Sequence, residues 1–134
     1  MRVRTIYHRS AMAVRTGSSV AEAASMMNAG SFGALAVFEG DSLAGIISER
    51  DVVRAVASGA DLSTALVGDH MTRDPIVAGP DEDSSQAAVR MVQYGVRHLP
   101  VVEAGRLLGM ISARDVLSLE AWPRVRGAER GGVA

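Results

Sequence analysis

The stretch GIISERDV at residues 45–52 returns as GMISARDV at residues 109–116, 64 positions later, with six of the eight residues identical. The same offset, carried back without a gap, aligns Leu35 with Leu99. At this offset Met27 also aligns with Met91, Ala23-Ala24 with Ala87-Ala88, and Arg9 with Arg73. A gapless repeat of this length indicates an internal duplication, so the fold is predicted to consist of two similar units.

Each copy predicts the same order of elements. A short apolar run precedes a helix signal, then two apolar runs flank a polar turn, and a second helix signal follows. The first helix begins at the capping box Ser19–Glu22, and Asp83 with Gln86 takes the same roles in the second copy. Gly95 is expected to end that second-copy helix. The predicted strands are residues 12–14, 34–38 and 43–48, then 76–78, 99–102 and 107–112. This order predicts an α/β (α+β) chain of two β-α-β-β-α repeats.

The predicted domain boundaries follow the repeat. Repeat 1 is expected at residues 3–59, a linker at residues 60–66 and repeat 2 at residues 67–122. Either repeat alone buries too little apolar surface to be comfortably stable, so the halves are expected to pack face to face. The tail at residues 123–134 is rich in Gly and Arg and lacks apolar periodicity, which predicts disorder.

Composition excludes several kinds of chemistry. The 134 residues contain no cysteine, which excludes disulfides and thiolate metal sites. All 14 basic residues are arginine, which excludes Schiff-base lysines and the lysine of a phosphate-binding loop. The three histidines have no metal-site spacing, and a net charge of -1 gives no overall attraction to nucleic acid. The sequence has no membrane-length apolar stretch, and its first fifteen residues are broken by charges and make a poor signal peptide, so a cytoplasmic location is expected.

Three further motifs point to a family. They are MTRDPIV at residues 71–77, VRHLPVV at residues 96–102, and the Ser-x-Arg-Asp elements at residues 48–51 and 112–115. In this order, and inside a repeated β-α-β-β-α unit, they resemble the CBS domain family. The resemblance implies a tandem pair, or Bateman module, arranged about a pseudo-two-fold axis and assembled as a homodimer. It also implies a non-catalytic regulatory protein without a required cofactor. Its ligand would be AMP, ADP, ATP or another adenosine compound such as NAD or S-adenosylmethionine, bound in a cleft between the halves.

The resemblance assigns ribose contacts to a hydroxyl and a carboxylate in each half. These are Ser48 and Asp51 in the first half, and Ser112 and Asp115 in the second. An ionised carboxylate can accept hydrogen bonds from both hydroxyls of a ribose, and a helix start offers N–H groups to a phosphate. The alternative is that both aspartates only stabilise the first turn of a helix. Their duplication behind matched hairpins favours the ligand role.

The adenine is expected against the first strand of each half. The candidates are Ile76 and Val77 in the second half, with Met12 and Ala13 as their counterparts in the first. A base edge that is read by backbone groups needs an apolar slot with few polar side chains. Simple core positions in a strand are the alternative for part of this set.

The phosphate side requires cations. Arg50 and Arg114 occupy equivalent positions in the two copies. Arg97 and His98 directly precede the next predicted strand, and Pro100 in that strand is assigned to the same ligand pocket. Guanidinium groups suit bidentate contact with phosphate. Solvent exposure or pairing with a nearby glutamate stays open for Arg50, and a purely structural role stays open for His98.

The halves differ at several of these positions. The sequence RHLP at residues 97–100 corresponds to GALA at residues 33–36, and Asp74-Pro75 corresponds to Ser10-Ala11. The second site is therefore predicted to bind more tightly, while the first is weaker or vacant.

Two other functions stay open. A protein-interaction scaffold that has lost nucleotide binding would use its dimer surface, the Arg-rich tail or Trp122. Nucleic-acid binding through Arg50, Arg97 and Arg114 ranks last, because the few aromatic residues provide little base stacking.

Overall fold

The computed structural model describes residues 1–7 and 13–118, which fall into two compact units. Ser10–Ile76 form one, here called the first-repeat unit. Met1–Arg9 together with Val77–Ala134 form the other, the second-repeat unit. Met12 and the predicted tail at 123–134 lie outside the described residues.

The observed elements follow the predicted order closely. In the first-repeat unit they are β1 (Ala13–Arg15), α1 (Val20–Gly30), β2 (Ala34–Glu39), β3 (Ser42–Ser48), α2 (Glu49–Ala57), α3 (Val67–His70) and β4 (Thr72–Arg73). In the second-repeat unit they are a 3-10 turn (Val3–Thr5), α4 (Ser84–Tyr94), β5 (His98–Glu103) and β6 (Arg106–Ser112), after which residues 113–118 are helical. The mixed α/β class is therefore confirmed.

The two hairpins reproduce one another in register. In the first-repeat unit the strand order is β1-β2-β3-β4, with β1 parallel to β2 and β3 antiparallel to both of its neighbours. Leu35 pairs with Ile47 in β2–β3, and Leu99 pairs with Ile111 in β5–β6. A bulge follows Val37 in the first hairpin and the equivalent position in the second. All four paired side chains are fully buried, so each hairpin turns the same face to its core.

The first strand of the second copy is shorter than predicted. The sequence predicts a strand at residues 76–78, but Ala78 alone forms a bridge to β5. In the first copy the Thr16 N–H donates to the Phe38 carbonyl at 3.1 Å and prolongs the pairing beyond β1. Pro80 stands at the equivalent place in the second copy and has no N–H, so the ladder cannot continue there.

Each unit contains the leading segment of the other repeat. The Val67 N–H donates to the Ser18 carbonyl at 2.8 Å, and the Val3 N–H donates to the Glu82 carbonyl at 2.8 Å. Both valines are fully buried. Residues 60–66, the predicted linker, belong to the first-repeat unit and hydrogen-bond to the start of α1. The leading segment of each repeat thus completes the core of the other.

The two long helices have polar caps at their starts. Ser19 caps α1 by accepting from the Glu22 N–H, as predicted. Asp83 caps α4 by accepting a hydrogen bond from the Ser85 N–H, whereas the sequence predicts a capping box formed by Asp83 and Gln86. Backbone and hydroxyl hydrogen bonds from Ser85 lower the pKa of the Asp83 carboxyl. This contribution to stability is present above the ordinary carboxyl pKa and is lost as the pH falls through the lowered value.

The ends of α1 and α4 place different residues in the same left-handed conformation. Gly95 has a φ of 65° at the end of α4, as predicted, and Ser31 has a φ of 56° at the end of α1.

We expect Gly95→Ala to lower the free energy of unfolding by about 1–2 kcal/mol, since only the backbone conformation resists the new Cβ. Ser31→Gly is expected to leave stability unchanged or raise it by up to about 1 kcal/mol. Urea denaturation of both variants measures this, and equal losses in both would contradict the explanation.

Candidate functional site

Helix α2 begins at a reciprocal capping box formed by Ser48 and Asp51. Asp51 Oδ2 accepts hydrogen bonds from the N–H and the hydroxyl of Ser48, at 2.8 and 3.0 Å. Ser48 Oγ accepts from the Asp51 N–H at 3.3 Å. Asp51 Oδ1 accepts from the Thr72 hydroxyl at 3.4 Å and lies 3.8 Å from Arg54 Nη1. Only 5% of Asp51 is exposed, so its carboxylate is held firmly and is largely enclosed.

The same box recurs at the start of the helical residues 113–118. Asp115 Oδ2 accepts from the Ser112 N–H at 2.8 Å, and Ser112 Oγ accepts from the Asp115 N–H at 3.1 Å. Asp115 is half-buried and therefore more accessible than Asp51. Both aspartates therefore cap the start of a helix, and in each box Oδ2 is the oxygen that accepts from the serine N–H.

Thr72 is a site residue that the sequence analysis missed. It lies on β4, where its pairing with Ile46 of β3 brings its hydroxyl to Asp51. The available signal was its position in the MTRDPIV motif, immediately after α3. The equivalent of Thr72 in the first copy is residue 8, which lies outside the described residues.

Ala13 and Val77 occupy equivalent positions, and both are exposed. Next to Val77, the Ala78 N–H donates to the carbonyl of the buried Pro100 at 2.9 Å, and the Ala78 carbonyl accepts from the Val102 N–H at 2.9 Å. The bridge to β5 consists of Ala78 alone, so the Val77 backbone groups take no part in it. Val77 therefore places an exposed apolar side chain next to backbone groups that do not pair with β5. Pro100 is a core residue, and its carbonyl has this structural role.

The remaining candidates differ in exposure. Arg50, Arg97 and Arg114 are exposed, while Ile76 and His98 are half-buried. Arg50 and Arg114 are the first-turn neighbours of the two capping boxes, and Arg97 directly precedes β5. Arg50 and Arg114 therefore provide solvent-accessible positive charge next in sequence to the candidate carboxylates, and the Arg97 carbonyl accepts from the Ala113 N–H at 2.8 Å, beside the second box.

The chemistry available to these groups is binding through hydrogen bonds and charge. Across residues 1–7 and 13–118, no three His, Asp or Glu side chains are grouped in a way that could hold a metal ion. Within the same ranges no helix combines the length and apolarity that a membrane span requires. Fixed carboxylates near exposed guanidinium groups suit a ligand that carries both hydroxyls and phosphate.

Comparison with known proteins gives a consistent family assignment. The family model of the CBS domain matches residues 3–58 and 67–121. An inosine-5′-monophosphate dehydrogenase from Korarchaeum cryptofilum is 36% identical over 124 residues, which are 92% of this chain and 25% of that protein. The chain thus spans a quarter of the length of this curated relative.

Two solved structures share the fold. Protein ATU1752 from Agrobacterium tumefaciens, which contains CBS domains, gives a TM-score of 0.84 at 32% identity, covering 90% of this chain and 99% of that one. The CBS domain pair of protein MJ0100 gives a TM-score of 0.84 at 26% identity, covering 92% and 98% of the two chains. That pair was solved in complex with 5′-methylthioadenosine and S-adenosyl-L-methionine.

Proposed function

Because the chain belongs to the CBS domain family, matching its model twice, we propose that it is a regulatory module that binds an adenosine-containing ligand. The observation that carries the proposal is the box formed by Ser112 and Asp115, which fixes a half-buried carboxylate at a helix start. Both ligands named for the MJ0100 domain pair contain adenosine, which supports this ligand class.

The proposed roles follow from the chemistry of each group. The Asp115 carboxylate accepts hydrogen bonds from the ribose hydroxyls, and Ser112 holds it in place. Arg114 and Arg97 contact the phosphate, for which guanidinium groups have matching geometry. The N–H and C=O of Val77 meet the polar edge of the adenine ring.

We propose that the first site, at Asp51, is weaker or vacant. Asp51 is 5% exposed, and its Oδ1 atom already contacts Thr72 and Arg54. A ribose would have to displace these partners before it could use that oxygen. The first copy also lacks counterparts of Arg97 and His98. The burial of Asp51 and the missing counterparts of Arg97 and His98 therefore both favour tighter binding at the Asp115 site.

Regulation without catalysis is part of the same proposal. The candidate residues form hydrogen-bonding and charged contacts, and the site needs no cofactor. We also propose a homodimer, which exposed apolar side chains on α2 and α4 support. These are Val53, Val56, Val89 and Val92. The regulated partner protein would then recognise either the ligand-bound or the ligand-free form of the module.

A thermal-shift screen tests the proposal, with AMP, ADP, ATP, NAD and S-adenosylmethionine as ligands and CMP as the control nucleotide. An adenosine ligand at about 100 times its dissociation constant should stabilise the fold by roughly 2.7 kcal/mol, because it binds only the folded state. CMP should give a much smaller shift, because it lacks the purine edge. If no adenosine ligand raises the melting temperature, the protein-interaction scaffold becomes the better explanation.

A further inference from the structure

Two charged side chains fix the segment Val77–Gly79 in the second-repeat unit. Glu82 Oε2 accepts a hydrogen bond from the Gly79 N–H, and Glu82 Oε1 accepts one from Arg90 Nη2. Arg90 belongs to α4, and both side chains are mostly buried, with 29% of Arg90 and 26% of Glu82 exposed. Glu82 therefore connects the end of this segment to a helix.

The first copy holds its equivalent segment differently. Met26 and Ser18 stand where the second copy has Arg90 and Glu82. There β1 pairs with β2 along its whole length, and the pairing continues past its end. In the second copy Pro80 stops that ladder. The ion pair thus lies where regular strand pairing is missing.

Fold stability alone explains Arg90 poorly. Its Nε atom is buried and has no hydrogen-bond partner within the described parts of the chain. An unpaired buried donor is destabilising, and an apolar side chain would occupy the same place without that penalty. Met26 shows that the fold accommodates methionine at this position. The arginine is better explained by its effect on Glu82.

We infer that Glu82 and Arg90 form a positioning pair for the backbone edge that meets the base of the ligand, an inference that rests on the proposed function. Ala78 directs both of its backbone groups to β5, and those of the neighbouring Val77 are not part of this bridge. The bond from Gly79 to Glu82 fixes the backbone just after that edge. Neither charged side chain contacts the ligand, and their role is to hold the Val77 N–H and C=O in one orientation.

The test replaces the pair by its first-copy counterparts, in the double variant Glu82→Ser with Arg90→Met. AMP affinity should fall about tenfold, the equivalent of one hydrogen bond, while IMP affinity changes less than about twofold. IMP is the comparison because its base edge reverses the donor and acceptor pattern of adenine. The melting temperature should stay close to that of the wild type, because no charge is left unpaired. A general loss of structure would instead lower the affinities for AMP and IMP equally.

A control removes the ion pairs of Arg4 in the same unit. Arg4 Nη2 lies 3.2 Å from Asp81 Oδ1 and 3.3 Å from Glu103 Oε2, and all three side chains are about half exposed or more. The double variant Arg4→Met with Glu103→Ser should leave the ratio of AMP to IMP affinity unchanged. An equal change in this control would overturn the positioning role.

Amide hydrogen exchange separates this inference from the proposed function. In the ligand-free protein, the Ala78 and Gly79 amides should exchange at least about tenfold faster in the double variant than in the wild type, because both lose local protection. Unchanged exchange, or an unchanged ratio of AMP to IMP affinity in a protein that binds AMP, overturns the positioning role alone. A wild-type protein that binds neither AMP nor any other adenosine ligand of the thermal-shift screen overturns the proposed function, and the positioning role with it.

Discussion

Replacing Asp115 by alanine is expected to weaken the tight binding of AMP or ATP about ten- to 150-fold. The variant removes a charged acceptor from the ribose hydroxyls, a loss of about 1.5–3 kcal/mol. Asp51→Ala is expected to change that binding event much less, because the enclosed Asp51 carboxylate already contacts Thr72 and Arg54. Isothermal titration calorimetry of both variants measures the difference.

A second variant separates ligand binding from helix capping. Asp115→Asn keeps an oxygen that can accept from the Ser112 N–H but removes the charge. It should retain most of the stability of the wild type and still lose affinity for the nucleotide. If Asp51→Ala abolished tight binding while Asp115→Ala left it intact, the assignment of the two sites would be reversed.

The largest expected loss of stability comes from Val67→Asp. Val67 is fully buried in the core cluster that includes Val20 and Leu35. A carboxylate at this place has no partner, which should lower the free energy of unfolding by roughly 3–5 kcal/mol. Leu66→Asp is the matched control, because the neighbouring Leu66 is 44% exposed and its change should stay within about 0.5 kcal/mol. Urea denaturation gives both values.

Val3→Asp extends the same experiment to the second-repeat unit. Val3 stands 64 positions before Val67 and is also fully buried. A comparable loss in the free energy of unfolding is expected if residues 1–7 complete the core of the second-repeat unit as residues 65–71 complete the core of the first-repeat unit. A negligible effect of Val3→Asp would show that the leading segment does not contribute to the unit.

The local parts of the fold were predictable from the sequence. The strands of both hairpins lie within one residue of their predicted bounds, because alternating burial and turn residues are local signals. The cap at Ser19 followed from residue type and spacing. The duplication also explains why both hairpins share one strand register, since two copies of one pattern fold alike.

Other features depend on contacts between distant parts of the chain. The pairing of β4 with β3 joins segments from different repeats, so the contact between Thr72 and Asp51 could not be predicted from neighbouring residues, although Thr72 lies in the MTRDPIV motif. The pair formed by Glu82 and Arg90 depends on how a loop meets α4. The shortened strand at 76–78 was visible in principle, since Pro80 marks the missing donor. Which ligand occupies the site and which protein is regulated depend on other molecules, so the sequence of this chain does not encode them.

An NMR titration of the wild-type protein with AMP tests the central claim most directly. We expect saturable shifts at the backbone amides of Val77, Ser112 and Asp115, with smaller changes at Ser48 and Asp51. AMP should be recovered unchanged at the end. The absence of shifts at millimolar AMP and ATP, or shifts confined to exposed residues of α4, would contradict the account.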